Sequence, residues 1–299
     1  MRCVSAVLGL FVLAGAGWAQ APPAQPLPAV PRYEDSVEGL EKFMRTVLEA
    51  AQKGDERLVY AHTRSLLLPN PREAFAELFG DALQEGYAER YAERRAALYL
   101  VLARDLTGIA KAGFAHIRVG RYEEGCSPLA DEDQVPVLLA RRRPVVLYDV
   151  RVLRKKEDKS AAGLRYFLYQ DGGFRYLGNI TLEQGAPVFG SFEEAAAGST
   201  PGKRLRAGGE HAVKFRSKNP PPTYPQQARD ANLQGRVRLL ILFGTDGAVK
   251  AVRLLSGHCW LFPAALDAVR QWNIEPVQVN GEAVEVVVPL EVTFALSSS

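Results

Sequence analysis

The sequence predicts an α+β protein built from two unlike domains. Helical periodicity dominates residues 35–112, and runs rich in Val, Leu, Tyr and Phe follow up to residue 180. A Gly- and Pro-rich stretch, residues 183–210, precedes a shorter pattern of hairpin, helix and final strand. Helices followed by antiparallel strands are typical of domains in which the helices pack on one face of a sheet. The 299 residues are enough for two such cores.

The chain opens with a predicted secretory signal peptide, residues 1–19. Arg2 precedes an apolar run, and Gly17 and Ala19 supply small residues before the expected cleavage site. Pro22 ends the run short of the about 20 apolar residues that a spanning helix needs. We therefore expect a periplasmic protein that is cleaved after Ala19, and an uncleaved N-terminal membrane anchor is the alternative.

Residues 20–34 form a proline-rich lead, with prolines at positions 22, 23, 26, 28 and 31. Such a segment is extended and semi-rigid, and it rises about 3.1 Å per residue where it adopts polyproline II. We expect it to be a short spacer.

Residues 35–182 are predicted to form the first domain, in which helices precede strands. Asp35 is the expected cap of a helix that ends at Gly54. Further helices are expected over residues 56–67, from Pro71 and from Tyr87. The strands are predicted at Phe114–Tyr122, Val137–Leu139, Val145–Leu153, Leu164–Tyr169 and Phe174–Ile180.

The last hairpin of this domain, Asp171-Gly172-Gly173-Phe174-Arg175-Tyr176, resembles the final strand of the nuclear-transport-factor-like cone fold. The resemblance implies a small-ligand pocket. The candidate lining residues are tyrosines, namely Tyr87, Tyr91, Tyr148, Tyr166 and Tyr176. A tyrosine-rich sheet core explains the same residues, so ligand binding or catalysis in this domain is kept as an alternative.

Residues 183–210 alternate Gly and Pro with charged residues and alanine, which is typical of a linker. Such a segment lets two domains move independently.

Residues 211–299 are predicted to form the second, smaller domain. Its expected elements are a Tyr224-Pro225 lead, a helix over Gln226–Asn232, hairpin strands Arg236–Phe243 and Val249–Leu255, a helix over Pro263–Trp272 and a strand over Val284–Leu296. The turn of the hairpin is Asp246-Gly247, and Trp272 is an expected core residue.

This order of motifs resembles the C-terminal domain of the TonB family. The resemblance is carried by Tyr224-Pro225 with Ala228, by Gly235-x-Val237, by Asp246-Gly247-x-Val249, by Trp272 with Pro276, and by Phe294. It implies a module that meets outer-membrane receptors from the periplasm. It also implies that the module binds an extended receptor peptide as an added strand at the edge of its sheet.

Pro289 lies inside the predicted last strand and cannot donate to a strand ladder, which predicts a free edge near that point. The candidate partner-binding residues implied by the resemblance are Tyr224, Pro225, Glu285, Val287, Pro289 and Glu291. Proline and glutamate also protect an edge against aggregation, and the sequence alone favours neither role. The same edge is a candidate homodimer contact.

Two features depart from the transducers of that family. The Pro-rich lead is far shorter than their periplasmic rod, and no histidine precedes His62, whereas their anchored helix carries one that docks on a motor complex. We therefore expect a passive relative that binds an outer-membrane receptor or another envelope protein. An anchored energy transducer is the alternative.

No catalytic, metal or cofactor site is predicted. The four histidines lie in separate contexts, and no phosphate loop, nucleophile elbow or dinucleotide fingerprint occurs. Removal of residues 1–19 leaves 36 basic against 34 acidic residues, a net charge of +2 that gives no reason to expect nucleic-acid binding. Cys126 and Cys259 are expected to be separate thiols, and a disulfide between them is the alternative.

Overall fold

The computed structural model describes residues 26–83, 86–123, 130–158, 162–182, 185–190, 204–206, 213–216 and 219–296. The predicted signal peptide and most of the predicted linker lie outside these residues. The chain forms two compact units of helices and antiparallel sheet, which confirms the α+β class. Of the described residues, the first unit comprises those within 26–81, 86–123 and 142–180. The second unit comprises 82–83, the segment 130–141 and the described residues from Thr181 onward. The sequence pattern did not indicate that the segment that ends at Arg141 belongs to the second unit.

The first unit begins with the helices α1 Val37–Lys53, α2 Glu56–Ser65, α3 Pro71–Phe79 and α4 Tyr87–Lys111. Ser36, not the predicted Asp35, caps α1, because its hydroxyl accepts a hydrogen bond of 2.9 Å from the amide of Gly39. Asp35 instead accepts a hydrogen bond of 2.8 Å from the Tyr148 hydroxyl. Gly54 ends α1 in the left-handed conformation, as predicted.

An antiparallel sheet of order β1-β2-β3-β4 follows, with β1 His116–Tyr122, β2 Leu147–Leu153, β3 Ala162–Gln170 and β4 Gly173–Tyr176. Side chains from α1, α2, α4 and this sheet form one core, in which Leu40, Met44, Leu106, Tyr148 and Phe167 have no exposed surface. β3 is irregular at Tyr166, which has φ +64° beside the register shift between β2 and β3.

One predicted strand is a helix. Val137–Leu139 lies in α5 Val135–Leu139, within the segment that belongs to the second unit. A short apolar run does not distinguish a strand from a buried helix. Pro136, in the first turn of α5, is the signal that favours the helix.

The second unit is built on a sheet that has six strands within the described residues. They are β5 Ala186–Phe189, β6 Arg204–Arg206, β7 Gly235–Phe243, β8 Val249–Ser256, β9 Val277–Val279 and β10 Glu282–Phe294. Their order is β5-β8-β7-β10-β6, and β9 also pairs with β10. The helices α6 Gln226–Asp230 and α7 Phe262–Val269 complete the predicted pattern.

α7 ends at Val269, and Trp272 lies beyond it instead of in the core. Trp272 is half-buried, and its indole N–H donates a hydrogen bond of 2.7 Å to the carbonyl of Pro220. The exposed Phe215 ring packs edge-on against the indole, with 5.7 Å between centroids. An indole usually keeps its N–H near a polar partner, which explains this position at the boundary of the core.

Two strands arise from the predicted linker, residues 183–210. β5 pairs antiparallel with β8, and β6 pairs parallel with β10. These two segments of the predicted linker are therefore strands of the second unit's sheet.

Cys259 is disulfide-bonded, so the expectation of two separate thiols is wrong. The only other cysteines of the chain, Cys3 and Cys126, both lie outside the described residues.

Candidate strand-binding edge of the second unit

β10 is the longest strand of the second unit among the described residues, and most of its length is paired on one side. Val286 to Phe294 pair antiparallel with β7 without a register shift, so that Val286 lies opposite Phe243 and Phe294 opposite Gly235. β7 in turn pairs with β8. A continuous ladder of this kind holds β10 in place, so that another strand can pair with its opposite side.

On the other side of β10, the described strand β6 pairs with Glu285, Val286 and Val287. Within the described residues, no strand pairs with residues 288–294 on the side that faces away from β7. Glu285 and Val287 were expected on a free edge, and this placement is wrong because β6 occupies it.

Pro289 indicates which backbone groups of β10 point toward this edge. Proline has no N–H, and within sheets its nitrogen lies on the side that makes no ladder hydrogen bonds. The side of β10 without a ladder at this position is the one that faces away from β7. Because peptide groups alternate in direction along a strand, Glu291 and Thr293 direct their N–H and C=O groups to the same free side.

The side chains of β10 divide into a buried and an exposed row. Val288, Val292 and Phe294 are buried in the core of the second unit. Pro289, Glu291 and Thr293 are exposed. A strand added beside residues 288–294 would therefore extend a sheet that has one apolar face and one solvated face.

Two ion pairs flank this edge. Glu285 is only 1% exposed, and its carboxylate accepts a hydrogen bond of 2.8 Å from the Lys250 ammonium. Glu291 lies in the free stretch and pairs with Arg236 at 3.2 Å, with both side chains substantially exposed. The exposed pair contributes little to stability, since exposed pairs are typically worth about 0.2–1 kcal/mol.

The Tyr224-Pro225 motif supports the C-terminal end of the same strand. The Tyr224 ring packs edge-on against Phe294, with 5.5 Å between centroids, and its hydroxyl donates a hydrogen bond of 2.5 Å to the carbonyl of Leu233. The Arg229 guanidinium lies 5.2 Å from the Tyr224 ring centroid. Pro225 is the N-cap residue of α6. These contacts give the motif a structural role, and its predicted role in partner binding stays a prediction.

Neither β6 nor the pairing of Lys250 with Glu285 was predicted from the sequence. A strand of three residues is too short to show a periodic pattern. The alternation Arg204-Leu205-Arg206 within a Gly-rich stretch is the one local signal that indicates a strand.

The tyrosines of the first unit have structural partners. Tyr91 donates a hydrogen bond of 2.7 Å to the carbonyl of Tyr176, and Tyr87 donates one of 3.1 Å to that of Leu177. Burial raises the pKa of Tyr91 and of Tyr148 to about 12. Tyr166 is 1% exposed, and the Tyr176 hydroxyl lies 3.2 Å from the Asn179 side-chain oxygen. This arrangement favours a sheet core over a ligand pocket, and the predicted pocket stays a prediction.

Within the described residues, no helix has the length and apolar character needed to cross a membrane. The same residues contain no group of three or more His, Cys, Asp or Glu side chains placed to hold a metal ion.

Comparison with known proteins agrees with the motifs of the second unit. The family model for the Gram-negative bacterial TonB protein C-terminal region matches residues 220–296. Residues 220–296 are a TonB C-terminal domain.

Two curated relatives match this part of the chain. Both are Protein TonB of Xanthomonas campestris pv. campestris, from strains B100 and ATCC 33913, and both are 37% identical over 89 residues. The match covers 29% of this chain and 40% of each relative. Among solved structures, the solution structure of the Pseudomonas aeruginosa TonB C-terminal domain is 22% identical, with a TM-score of 0.27 over 31% of this chain and 95% of that one.

The limits of the TonB C-terminal domain divide the strands of the second unit into two groups. β7, β8, β9 and β10 lie inside residues 220–296, whereas β5 and β6 lie before them. Both margins of the TonB sheet are thus extended by strands from outside the family match.

Proposed function

We propose that this protein binds an outer-membrane receptor or another partner in the Gram-negative envelope through its TonB C-terminal domain. The partner supplies an extended segment that adds a strand to β10. The observation that carries the proposal is the side of residues 288–294 that faces away from β7, with which no described strand pairs. Main-chain hydrogen bonds provide affinity in this mode of recognition, and the side chains of alternate residues provide selectivity.

The family match supports the class of partner, because the matched region is the C-terminal region of a Gram-negative bacterial TonB protein. The sequence of residues 1–19 supports export to the periplasm with cleavage after Ala19. The protein in this proposal is a passive binding or scaffold component.

In the proposal, Pro289 and Glu291 bind the partner along the edge, and Tyr224 and Pro225 support the end of that edge. Glu291 directs its backbone groups to the free side and is central to the free stretch. Pro289 prevents a hydrogen bond from its own position and so limits the register of an incoming strand. Tyr224 and Pro225 hold the end of β10 through Phe294 and α6.

The test compares two variants of the mature chain at one position. Glu291→Ala removes the side chain and the ion pair with Arg236 but keeps the backbone N–H. Glu291→Pro also removes the outward N–H. The probe is a synthetic peptide that carries the N-terminal periplasmic segment of a TonB-dependent outer-membrane receptor from the source bacterium, titrated into 15N-labelled protein.

Strand addition predicts peptide-induced amide shifts along residues 288–294 in the unmodified chain and in Glu291→Ala. It predicts binding at least about tenfold weaker in Glu291→Pro than in Glu291→Ala, since one backbone hydrogen bond and its geometry are lost. Before peptide is added, unchanged β7 and β8 amide shifts in each variant establish that its fold is intact. Equal affinity of the two variants, or shifts confined to other elements, would contradict the proposal.

A further inference from the structure

The strand β6 lies where an incoming strand would begin to pair. Its three residues run parallel to β10, with Arg204 beside Glu285, Leu205 beside Val286 and Arg206 beside Val287. It precedes the TonB C-terminal domain in the chain. The intact protein therefore covers part of its own candidate binding edge with a segment from outside that domain.

Because Pro289 interrupts the edge, a partner gains additional hydrogen bonds if it also pairs with the part that β6 covers. With no donor at Pro289, the uninterrupted stretch of β10 beside which no described strand pairs, on the side away from β7, is 290–294, five residues long. Strands are most often about 5–6 residues long. A partner that also pairs with Glu285, Val286 and Val287 would gain a second set of hydrogen bonds on the other side of the proline.

The attachment of β6 is weak enough to be reversible. It makes a ladder of only three residue pairs, and each net backbone hydrogen bond stabilises by about 0.5–1.5 kcal/mol. Glycines at positions 202, 208 and 209 surround it in the sequence and raise the entropy that docking removes. Its covalent connection to the sheet supplies an effective concentration on the order of millimolar.

The charges along the two strands match their register. β6 carries arginine at positions 204 and 206, and lysine precedes it at 203. β10 carries glutamate at position 285, directly beside Arg204 in the ladder. The sequence and direction of β6 therefore indicate the kind of extended segment that we expect to compete for this part of the edge.

We propose that β6 is an internal competitor for the partner-binding edge. It holds Glu285–Val287 until an extended segment that runs parallel to β10, and that carries a basic residue in register with Glu285, displaces it. The inference rests on the proposed strand addition and names both its regulation and the chemistry of the partner. The partner then pairs along both parts of the edge, on either side of Pro289.

The test replaces Arg204-Leu205-Arg206 by three prolines in the mature chain. Proline cannot donate a hydrogen bond, so this variant cannot form β6. The matched control is Leu205→Ala, which keeps every backbone donor and both arginines. Two probes are used: the receptor peptide described above, and a capped peptide with the sequence of residues 203–207, which supplies β6 from solution.

The expected result is faster hydrogen exchange at Glu285 and Val287 in the triple-proline variant, and renewed protection when the 203–207 peptide is added at millimolar concentration. The receptor peptide should bind this variant roughly tenfold more tightly than the unmodified chain. This factor is expected if β6 is unpaired from β10 in about one-tenth of the unmodified molecules. The control should bind with the affinity of the unmodified chain. In the unmodified chain, saturation with the receptor peptide should increase amide exchange at residues 204–206.

The outcomes separate the two proposals. Equal affinity of the receptor peptide for the triple-proline variant and the unmodified chain, with β10 amides shifted in both, would overturn the competitor and leave strand addition standing. Absence of any β10 shift with the receptor peptide, although the 203–207 peptide docks, would overturn the proposed function and the competitor with it. If the triple-proline variant does not fold, amide exchange at residues 204–206 in the unmodified chain tests the competitor instead. Protection of these amides that persists at saturation with the receptor peptide would overturn it.

Discussion

The Lys250 ammonium donates a hydrogen bond of 2.8 Å to the carboxylate of Glu285, which is 1% exposed. Lys250 belongs to β8 and Glu285 to β10, two strands that β7 separates. The contact therefore spans the central strand β7 and joins the two strands on either side of it. A buried carboxylate needs such partners, because leaving a charge in an apolar environment is costly.

Replacement of Lys250 by Met should destabilise the second unit. Methionine keeps most of the aliphatic stem but removes the hydrogen bond to a buried charge, for which a loss of about 1–3 kcal/mol is typical. Lys250 is 43% exposed, and water moderates the effect toward the lower end of that range. Urea unfolding of the Lys250→Met, Glu285→Gln and double variants gives the coupling energy. A coupling energy near zero would contradict a stabilising role for this pair.

Replacement of Tyr224 by Phe should lower stability without changing affinity for the receptor peptide. The variant keeps the edge-on contact with Phe294 and loses only the hydrogen bond to the carbonyl of Leu233. We expect a loss of about 1 kcal/mol, measured by thermal unfolding. Tyr224→Ala, which also loses the ring contact, should lose more. Weaker peptide binding by Tyr224→Phe, at unchanged stability, would instead assign the hydroxyl to partner recognition.

His62 should make the first unit less stable as the pH falls. Burial lowers the pKa of His62 below its usual value, although the carbonyl of Leu58, which accepts a hydrogen bond of 2.9 Å from Nδ1, opposes that shift. The other ring nitrogen lies 3.1 Å from the Tyr33 hydroxyl, so the neutral ring is fully hydrogen-bonded. The unfolded state therefore binds a proton more readily, and stability that is present at neutral pH is lost as the pH falls through the unfolded-state pKa of about 6.5.

The pH measurement compares urea unfolding at pH 7.5 and 5.5. The matched variant is His62→Gln, which retains a polar side chain but does not titrate in this range. The difference in stability between the two pH values should be smaller in the variant than in the unmodified chain. An equal difference in both would show that other groups account for it.

The disulfide of Cys259 should join it to Cys126. Cys259 is disulfide-bonded, and Cys3 lies in the predicted signal peptide. The segment that ends at Arg141 belongs to the same unit as Cys259, and the Gly257 amide donates a hydrogen bond of 3.0 Å to the carbonyl of Glu132. A non-reducing peptide map should therefore contain one linked fragment with both cysteines.

Cys126→Ser and Cys259→Ser should lower stability by similar amounts, about 2–4 kcal/mol for a typical disulfide. Two unlinked fragments that each carry a free thiol would contradict the prediction. Addition of a reductant should lower the stability of the unmodified chain and leave both serine variants unchanged.

The features that could be predicted from the sequence are those that residues close together in the chain determine. The Asp246-Gly247 turn lies where it was expected, and Gly247 has φ +83°. A side chain there would also collide with the carbonyl oxygen of Ile274. Long periodic elements such as α1 and β7 were similarly evident, because many residues contribute to each pattern.

The remaining features depend on partners that are distant in the sequence. Whether Glu285 lies on a free edge is decided by Arg204, more than seventy residues earlier, and no pattern within β10 contains that information. The grouping of α5 with the second unit is similar, because it rests on tertiary contacts and not on the apolar run itself. Of the predicted edge residues, Glu285 and Val287 are therefore covered by β6, whereas no described strand pairs with Pro289 and Glu291 on that side.

The two strands that precede the TonB C-terminal domain determine what a shortened protein would reveal. A fragment of residues 220–296 lacks both β5 and β6, so the outer side of β8 and the first part of the β10 edge lose their neighbours. Unprotected strand edges promote pairing between molecules. Such a fragment would self-associate and bind peptides more readily than the natural protein does. Affinities measured on it would describe an edge that a partner reaches in the natural protein only after β6 is displaced.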